Sequence, residues 1–421
     1  MKERVAVIGG GISGLFSALY LAQAGFDTHL YERKLIAAET SDNFHGMIHS
    51  GARYAVNDPV SAKECISENR KIHDMAGNFL DNTGGYFLGI TDQEAEFGDR
   101  LLKGCSASGI PAMEVEPEKV LKIEPYVNPR LKRAISVPDM VVHAFEFAVA
   151  VSAEAKMLGA SFHFGAEVKS VNFSSGSTKG ITISRNGKVT REHFDAVVNA
   201  TGPFSSNLLR RSGLDGAEMM PSVGSMLVYE GRFNNSVLNR MRMPSDGDII
   251  VPYGSASVLG TIATVVEDAD QYSIEEEDVE MMKEEGSVMI PALSKARVRF
   301  MYSSVRPLMA EEGKDSRSAS RSFQIIHLKE SGAEGLFSIT GGKYTTGRLI
   351  GQEAAEMVSH YFGSHHSHED PDLNSTFQRF QSAGLVRNTD VLEIALSRIG
   401  TMDQERIAPA IAATIAASVG D

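Results

Sequence analysis

The opening stretch constrains this chain more than any other. Arg4-Val5-Ala6-Val7-Ile8 is an apolar run of strand length, and Gly9-Gly10-Gly11-Ile12-Ser13-Gly14 follows at once as G-x-G-x-x-G. Leu15, Ala18, Leu19 and Leu21 then supply a helical face, and Thr28-His29-Leu30-Tyr31 a second strand ending at Glu32. Strand, glycine turn, helix and strand in that order predict a parallel βαβ unit that grips a dinucleotide. Gly9 permits the tight turn, Gly11 lets backbone approach a pyrophosphate, and Gly14 lets helix pack on strand. The helix amino terminus offers phosphate its free N–H groups and positive dipole end. Glu32, about 20 residues past the glycines, is placed to accept from ribose hydroxyls and would repel a 2′-phosphate. The motif alone serves FAD and NAD equally.

Further along, Asp58-Pro59 reads as a helix cap and first helical residue, and Ile66, Ile72, Met75 and Phe79 give one long helix over 57–80 an apolar face. A second helix is expected over 143–158. From Glu167 to Val189 the pattern alternates around turns at Gly176 and Asn186-Gly187, which predicts an antiparallel meander. Residues 195–202 and 336–342 read as buried strands ending in glycine turns, the latter followed by a helix to about residue 361. The nucleotide domain is therefore expected from three separated segments, 1–80, 135–222 and 330–362. Strands at 226–230, 248–252 and 256–263 belong to a separate sheet, and the acidic run 274–285 reads as a solvated helix face. A substrate-side domain is expected from 81–134 and 223–329, a polar linker at 363–371, and a helical tail over 372–421. His360, His365, His366 and His368 sit in or beside the low-complexity linker, so they are read as linker and no metal site is expected. Periodicity at 386–399 and a small apolar stretch at 407–419 cannot form a core alone, and are expected to pack on the body or dock a partner.

With 421 residues the chain can bury two or three domains. Lys and Arg total 41 against 54 Asp and Glu, and the net charge of −13 argues against a broad grip on nucleic acid or anionic lipid. An anionic substrate would need a local basic pocket. Cys65 and Cys105 are too few for a disulfide framework, a zinc site or a cysteine-ligated cluster, and suit a reducing compartment. Met1-Lys2-Glu3 leads straight into the first strand without the parts of a signal peptide, and no run of about 18 apolar residues occurs. The expected location is cytoplasmic, with any membrane contact peripheral on the inner face or made through a partner.

His45-Gly46-Met47-Ile48-His49-Ser50-Gly51-Ala52-Arg53-Tyr54, Cys65-Ile66-Ser67-Glu68-Asn69, Val137-Pro138-Asp139, Pro244-Ser245-Asp246, Tyr302 through Leu308 and Ile339-Thr340-Gly341-Gly342-Lys343 occur in order along the chain. This series resembles the large FAD subunit of anaerobic glycerol-3-phosphate dehydrogenases, within a D-amino-acid-oxidase-like superfamily. The resemblance implies an α/β (α+β overall) fold: a Rossmann-like FAD-binding domain of discontinuous segments, an antiparallel-sheet substrate domain and a short helical tail. It also implies oxidation of sn-glycerol 3-phosphate to dihydroxyacetone phosphate with non-covalent FAD. Electrons would pass to quinone directly or through an electron-accepting partner protein, with a separate membrane-anchor subunit, and a homodimer is compatible with this. The lack of a second G-x-G-x-x-G for a nicotinamide nucleotide agrees with that route. Relatives commonly continue into a domain whose cysteines suit an iron-sulfur cluster, and this sequence has none of it. Phe204 stands where relatives often have Trp, Val223 where Lys often precedes Gly-Ser, and Gly347 where Tyr often precedes Arg.

Oxidising a secondary alcohol removes a hydride from carbon and a proton from oxygen, and an imidazole suits the proton because its ordinary pKa lies near neutrality. By the resemblance His49 is the base; the alternative is a histidine that only hydrogen-bonds flavin or backbone. Arg306 and Arg321 match the family's substrate-domain arginines, and two guanidinium forks suit a phosphate dianion. Arg306 could instead polarise the developing ketone oxygen. Arg53 and Tyr54 would close the pocket, and Lys343 would lie near substrate oxygen and the flavin ring. Expected cofactor contacts are Gly9, Gly11, Ile12, Ser13, Gly14, Glu32 and Arg33, then Thr40, Ser41, His45 and Gly46, then Val168 through its backbone, Ala200, Gly202, Gly342, Lys343 and Thr345. A carboxylate also suits arginine, so a 2-hydroxy-acid dehydrogenase or amino-acid oxidase of the same superfamily stays open. So does a flavin-binding scaffold without turnover.

Overall fold

A computed structural model describes residues 2–215, 219–266, 269–308, 322–366 and 368–382. β1 (Arg4–Ile8), α1 (Ile12–Gln23) and β2 (Asp27–Glu32) form the expected unit, with β1 and β2 parallel and Val5 opposite Thr28. Among the described residues, six strands make this sheet in the order Phe323–His327, Leu336–Gly341, Ala196–Asn199, β1, β2, Ser161–Phe164. Only its first pair is antiparallel. Val5, Ala6 and Val7 are fully buried because both sheet faces are covered, which explains an unbroken apolar run where an open strand would alternate. α1 packs against helices Ala144–Met157 and Gly347–Tyr361. Leu15, Phe16 and Leu19 are buried there, at roughly 1.5–3 kcal/mol each.

The meander Glu167–Ser174, Ser177–Arg185, Lys188–Glu192 forms as the turn residues require. Both turns place two consecutive residues at positive φ, Ser175-Gly176 and Asn186-Gly187, the mirror-image turn whose twist matches a hairpin.

Among the described residues a nine-stranded sheet stands against this body. Val298–Arg306 pairs with Ser222–Tyr229, and the order continues through Ala256–Gly260, Ile249–Tyr253, Val237–Arg240, Gly85–Gly89, Arg133–Val137 and Met113–Val115, with Thr264–Val265 beside the start of Ser222–Tyr229. All its pairings are antiparallel except one. Val237–Arg240 runs parallel to Gly85–Gly89, and that seam joins two distant chain segments into one sheet. Helix Glu276–Met289 buries Val279, Met282 and Met289 and keeps most of its acids outward, but Glu285 departs from the expected solvated face, turning in to pair with buried Arg240 and with Arg242.

α2 (Pro59–Ala76) starts where expected, Ser61 N–H donating to the Asp58 side chain at 3.1 Å, and gives way early to a tight turn at Gly77–Phe79. Among its described residues the stretch 363–371 carries no helix or strand, yet it is tied down: Arg348 holds Glu68 through two bonds of 2.7 and 2.8 Å and Asp370 at 2.7 Å, and Tyr20 OH donates to Asp370 at 2.8 Å. Helix Leu373–Ser382 follows, with Phe377 edge-on to Phe79. The expected elements at 386–399 and 407–419 lie outside the described residues. Among the described residues no helix is long and apolar enough to cross a membrane.

Candidate active site

A cavity of about 450 Å³ runs from the glycine turn to Arg306, between the two large sheets. At its first end the walls are backbone. Gly9 has φ +110°, and a Cβ there would lie 2.5 Å from the Ala200 carbonyl oxygen, so any side chain collides with the end of the neighbouring strand. Gly14 does not line the cavity; a Cβ there would lie 2.0 Å from Gly9 O, so its missing side chain is what lets α1 pack against the turn. α1 begins at Gly11 with no side-chain cap on that residue and no acid in its first turn, and Ile12 N–H donates to Ser41 Oγ at 3.0 Å. This is the arrangement that receives a diphosphate: N–H groups, the positive dipole end and a hydroxyl beside them.

Glu32, 8% exposed, accepts from Gly10 N–H at 2.7 Å and Lys34 N–H at 2.6 Å. Burial raises its pKa and those two bonds oppose the rise, so the carboxylate fastens the glycine turn to β2 as well as facing the cavity. Arg33 reaches the rim, where its guanidinium pairs with Glu39 at 2.9 Å and Asp270 at 3.0 Å and lies 4.2 Å from the Phe204 ring centre. Its charge is thus engaged by protein. Thr40 lines the wall while its hydroxyl donates to Val305 O at 2.6 Å, and Ser13, Val168, Ala200 and Gly202 complete this end.

The second end is built of side chains from separated segments. Strand Met47–Ile48 pairs with Met140–Val142 and brings His45, His49, Arg53 and Tyr54 to the cavity. Gly46 backs this wall without lining it, because a Cβ there would meet the Tyr253 ring at 3.1 Å. His45 Nδ1 accepts from Met47 N–H at 3.2 Å; burial, then the Arg53 and Arg306 charges, push its pKa down to about 3, so the ring is neutral. His49 is 8% exposed, its N–H donates to Thr345 Oγ1 at 3.1 Å, and its ring lies 5.4 Å from that of Tyr54. Lys343 Nζ stands 5.2 Å from the Tyr54 ring centre, and Gly342 and Thr345 adjoin it on the wall.

Arg53 forms an ion pair of 2.7 Å with fully buried Asp248. Arg306 ends its strand with Nη2 donating to Ile262 O at 2.8 Å and to Thr261 Oγ1. Gly224 leaves it room, since a Cβ there would lie 2.6 Å from Nη2. Arg321 lies outside the described residues. Cations therefore collect at one end of a cavity in an acidic protein, where low-dielectric walls focus their field. Sequence reading missed Asp248, Thr261 and Gly224. Asp248 follows Pro244-Ser245-Asp246 and Gly224 follows Val223 closely enough to be found, whereas nothing local marks Thr261. Cys65 and Cys105 are buried with thiols pushed up to about 12, which leaves them unreactive.

Comparison with known proteins agrees with this geometry. The family model for FAD dependent oxidoreductases matches residues 4–357. An anaerobic glycerol-3-phosphate dehydrogenase subunit of Haloferax volcanii is 36% identical over 374 residues, 85% of this chain and 64% of that protein. The corresponding anaerobic glycerol-3-phosphate dehydrogenase subunit from Escherichia coli K12 is 34% identical over 366 residues, 86% of this chain and 67% of that protein. The chain thus spans about two thirds of the length of these relatives. Among solved structures, L-alpha-glycerophosphate oxidase from Mycoplasma pneumoniae with FAD bound superposes with TM-score 0.71 at 18% identity over 85% of this chain and 95% of that one. Glycine oxidase from Geobacillus kaustophilus gives TM-score 0.67 at 19% identity over 87% and 97%. At such identities these two speak for the fold. With the family model covering the nucleotide unit and both walls of the cavity, this chain belongs to the FAD dependent oxidoreductases, with FAD as its cofactor.

Proposed function

We propose that this chain oxidises sn-glycerol 3-phosphate to dihydroxyacetone phosphate. The observation that carries the reading is that His49, Arg306 and Lys343 line one cavity together with the glycine turn. Bound FAD supplies the hydride acceptor. Gly9, Gly11, Ile12 and Ser13 with the α1 terminus take its diphosphate, aided by Ser41, and Glu32 takes the ribose. Val168, Ala200 and Gly202 border the adenosine part. His45, Gly342, Lys343 and Thr345 border the flavin part, with Thr40 and Arg33 supporting the wall. In this account the FAD-binding domain is assembled from 1–80, 135–222 and a third segment to 362 that starts at strand Phe323–His327 rather than at the expected 330, because this strand pairs with Leu336–Gly341, and the substrate domain from 81–134 and from 223 up to that strand.

His49 accepts the hydroxyl proton as the C–H bond breaks. Arg306 and Arg321 hold the phosphate, and each charged hydrogen bond contributes roughly 1.5–3 kcal/mol, or about ten- to a hundredfold in binding or turnover. Lys343 steadies the substrate oxygen, and Tyr54 closes the pocket beside it. Arg53 is held at Nη2 by Asp248 and Ser245 O, and it closes the pocket with Tyr54. The electrons pass to a quinone or to an electron-accepting partner protein, with a separate membrane anchor holding the assembly to the inner face of the cell membrane. The Haloferax and Escherichia relatives are each named as one subunit of a dehydrogenase, which supports a partner.

The test is anaerobic mixing of the purified yellow protein with candidate donors. Glycerol 3-phosphate is expected to bleach the flavin while L-2-hydroxyglutarate and glycine leave it oxidised. Bleaching by either of those and not by glycerol 3-phosphate would move the chain to the hydroxy-acid or amino-acid branch. A flavin bleached by no donor would support a scaffold role.

A further inference from the structure

Each peptide unit around His49 is tied to a different part of the molecule. Ile48 C=O accepts from Asn69 Nδ2 of α2 at 3.4 Å, and the same amide donates to Pro138 O at 3.0 Å. His49 N–H donates to Thr345 Oγ1 at 3.1 Å. Ser50 N–H donates to Asp139 Oδ1 at 2.7 Å. Gly51 follows at φ +90°, with its Cα pressed so close to α2 that a Cβ would lie 2.3 Å from Ala62 O. The backbone bearing the imidazole is therefore fixed before, at and after the residue.

Asp139 is the costly member of this set. It is 3% exposed, and its carboxyl sits in the corner between strands Arg133–Val137 and Met140–Val142, packed against Gly85 at a distance that admits no side chain there. Burial raises its pKa, opposed chiefly by Ser50 and then by the Arg53 charge. A side chain so withdrawn from water is costly unless it is hydrogen-bonded, and the bond it accepts from Ser50 N–H is what fixes this backbone. Its corner also joins the nine-stranded sheet to the strand that pairs with Met47–Ile48, so one side chain sets His49 relative to both walls.

We propose that Asp139 is the positioning residue for His49: through the Ser50 N–H it holds the imidazole in register with the cationic end of the cavity. This rests on the reading of His49 as the base. Asp139 touches neither substrate nor flavin in this account. Its effect is on the rate constant of flavin reduction, since a base held loosely spends less time within reach of the hydroxyl proton.

The test compares Asp139→Asn, which keeps an acceptor, with Asp139→Ala, which does not, both as FAD-loaded protein. Hydrogen exchange of peptides covering residues 47–54 needs no substrate. It is expected to quicken in the alanine variant and stay near wild type in the asparagine variant. In anaerobic stopped flow with glycerol 3-phosphate, the alanine variant is expected to lose at least about tenfold in limiting rate with KM within about twofold, and asparagine to restore most of the rate. If the alanine protein does not fold, Asp139→Ser, whose shorter side chain stops short of the Ser50 N–H, takes its place and is expected to give the same split, and wild-type exchange and rate in it overturn the proposal. Unchanged exchange in the alanine variant, or asparagine as slow as alanine, overturns the proposal. A wild-type protein that glycerol 3-phosphate does not bleach refutes the substrate reading instead, and the exchange comparison then decides the clamp by itself.

Discussion

The two ends of the cavity are made in opposite ways. The glycine end is backbone: Gly9, Gly11, Ile12 and Glu32 come from one continuous unit, and the positive potential there belongs to N–H groups and a helix dipole. The His49 end is side chains delivered by strands and turns far apart in sequence, held by bonds such as Arg53 to Asp248 across 195 positions. Backbone sites tolerate most changes that leave the turn intact and fail outright when it is filled. Side-chain sites fail by degrees, according to how much each group contributes.

Filling the turn is the largest blow to that contrast. At Gly11 an added Cβ would lie 3.1 Å from Ser41 Oγ, close enough that this hydroxyl must shift, and valine there occupies the approach to the diphosphate. The variant is expected to fold and purify colourless; a yellow Gly11→Val protein would mean the cofactor is held elsewhere. His49→Ala comes next. It should keep its flavin and lose about 10²- to 10⁴-fold in reduction rate by glycerol 3-phosphate. Reduction at the wild-type rate would leave His49 a bystander.

Arg306→Ala should cost about ten- to a hundredfold in kcat/KM, and Arg306→Lys should recover only part, because an ammonium cannot reproduce the fork that Thr261 and Ile262 hold. Full recovery by lysine would show that charge alone suffices at this end.

His45 carries a pH signature. Its folded pKa is depressed to about 3, so as pH falls from the ordinary histidine range the unfolded chain takes up a proton that the folded one refuses. Stability conferred by the neutral ring is complete above that range and is lost on acidification towards the folded pKa. His45→Gln should therefore lose less urea stability than wild type between about pH 7 and pH 5. Parallel losses in the two proteins would place the ring in water. The smallest effect is expected at the rim: Asp270→Ala, on a half-exposed pair with Arg33, should weaken FAD binding by no more than about fivefold.

The contrast also explains what could be read from the sequence. The βαβ unit, the Asp58-Pro59 cap, the Asn186-Gly187 hairpin and the acidic helix are local, with period and turn chemistry written in consecutive residues. The parallel seam of Val237–Arg240 on Gly85–Gly89 is a tertiary choice that no local pattern records. Likewise Arg33 was legible as a neighbour of Glu32, but its partner Asp270 stands 237 positions away. His49, Arg306 and Lys343 came from the family resemblance, since twelve histidines and many arginines compete on composition alone. What the structure adds is their shared cavity, and the supports beneath them in Thr345, Thr261 and Asp248.

The most direct test of the central claim is an anaerobic titration of the purified flavoprotein with sn-glycerol 3-phosphate, followed through the visible flavin band. The account predicts full bleaching with formation of dihydroxyacetone phosphate in amount equal to the flavin reduced. A flavin that stays oxidised in excess glycerol 3-phosphate, in protein that dithionite still bleaches, would contradict it.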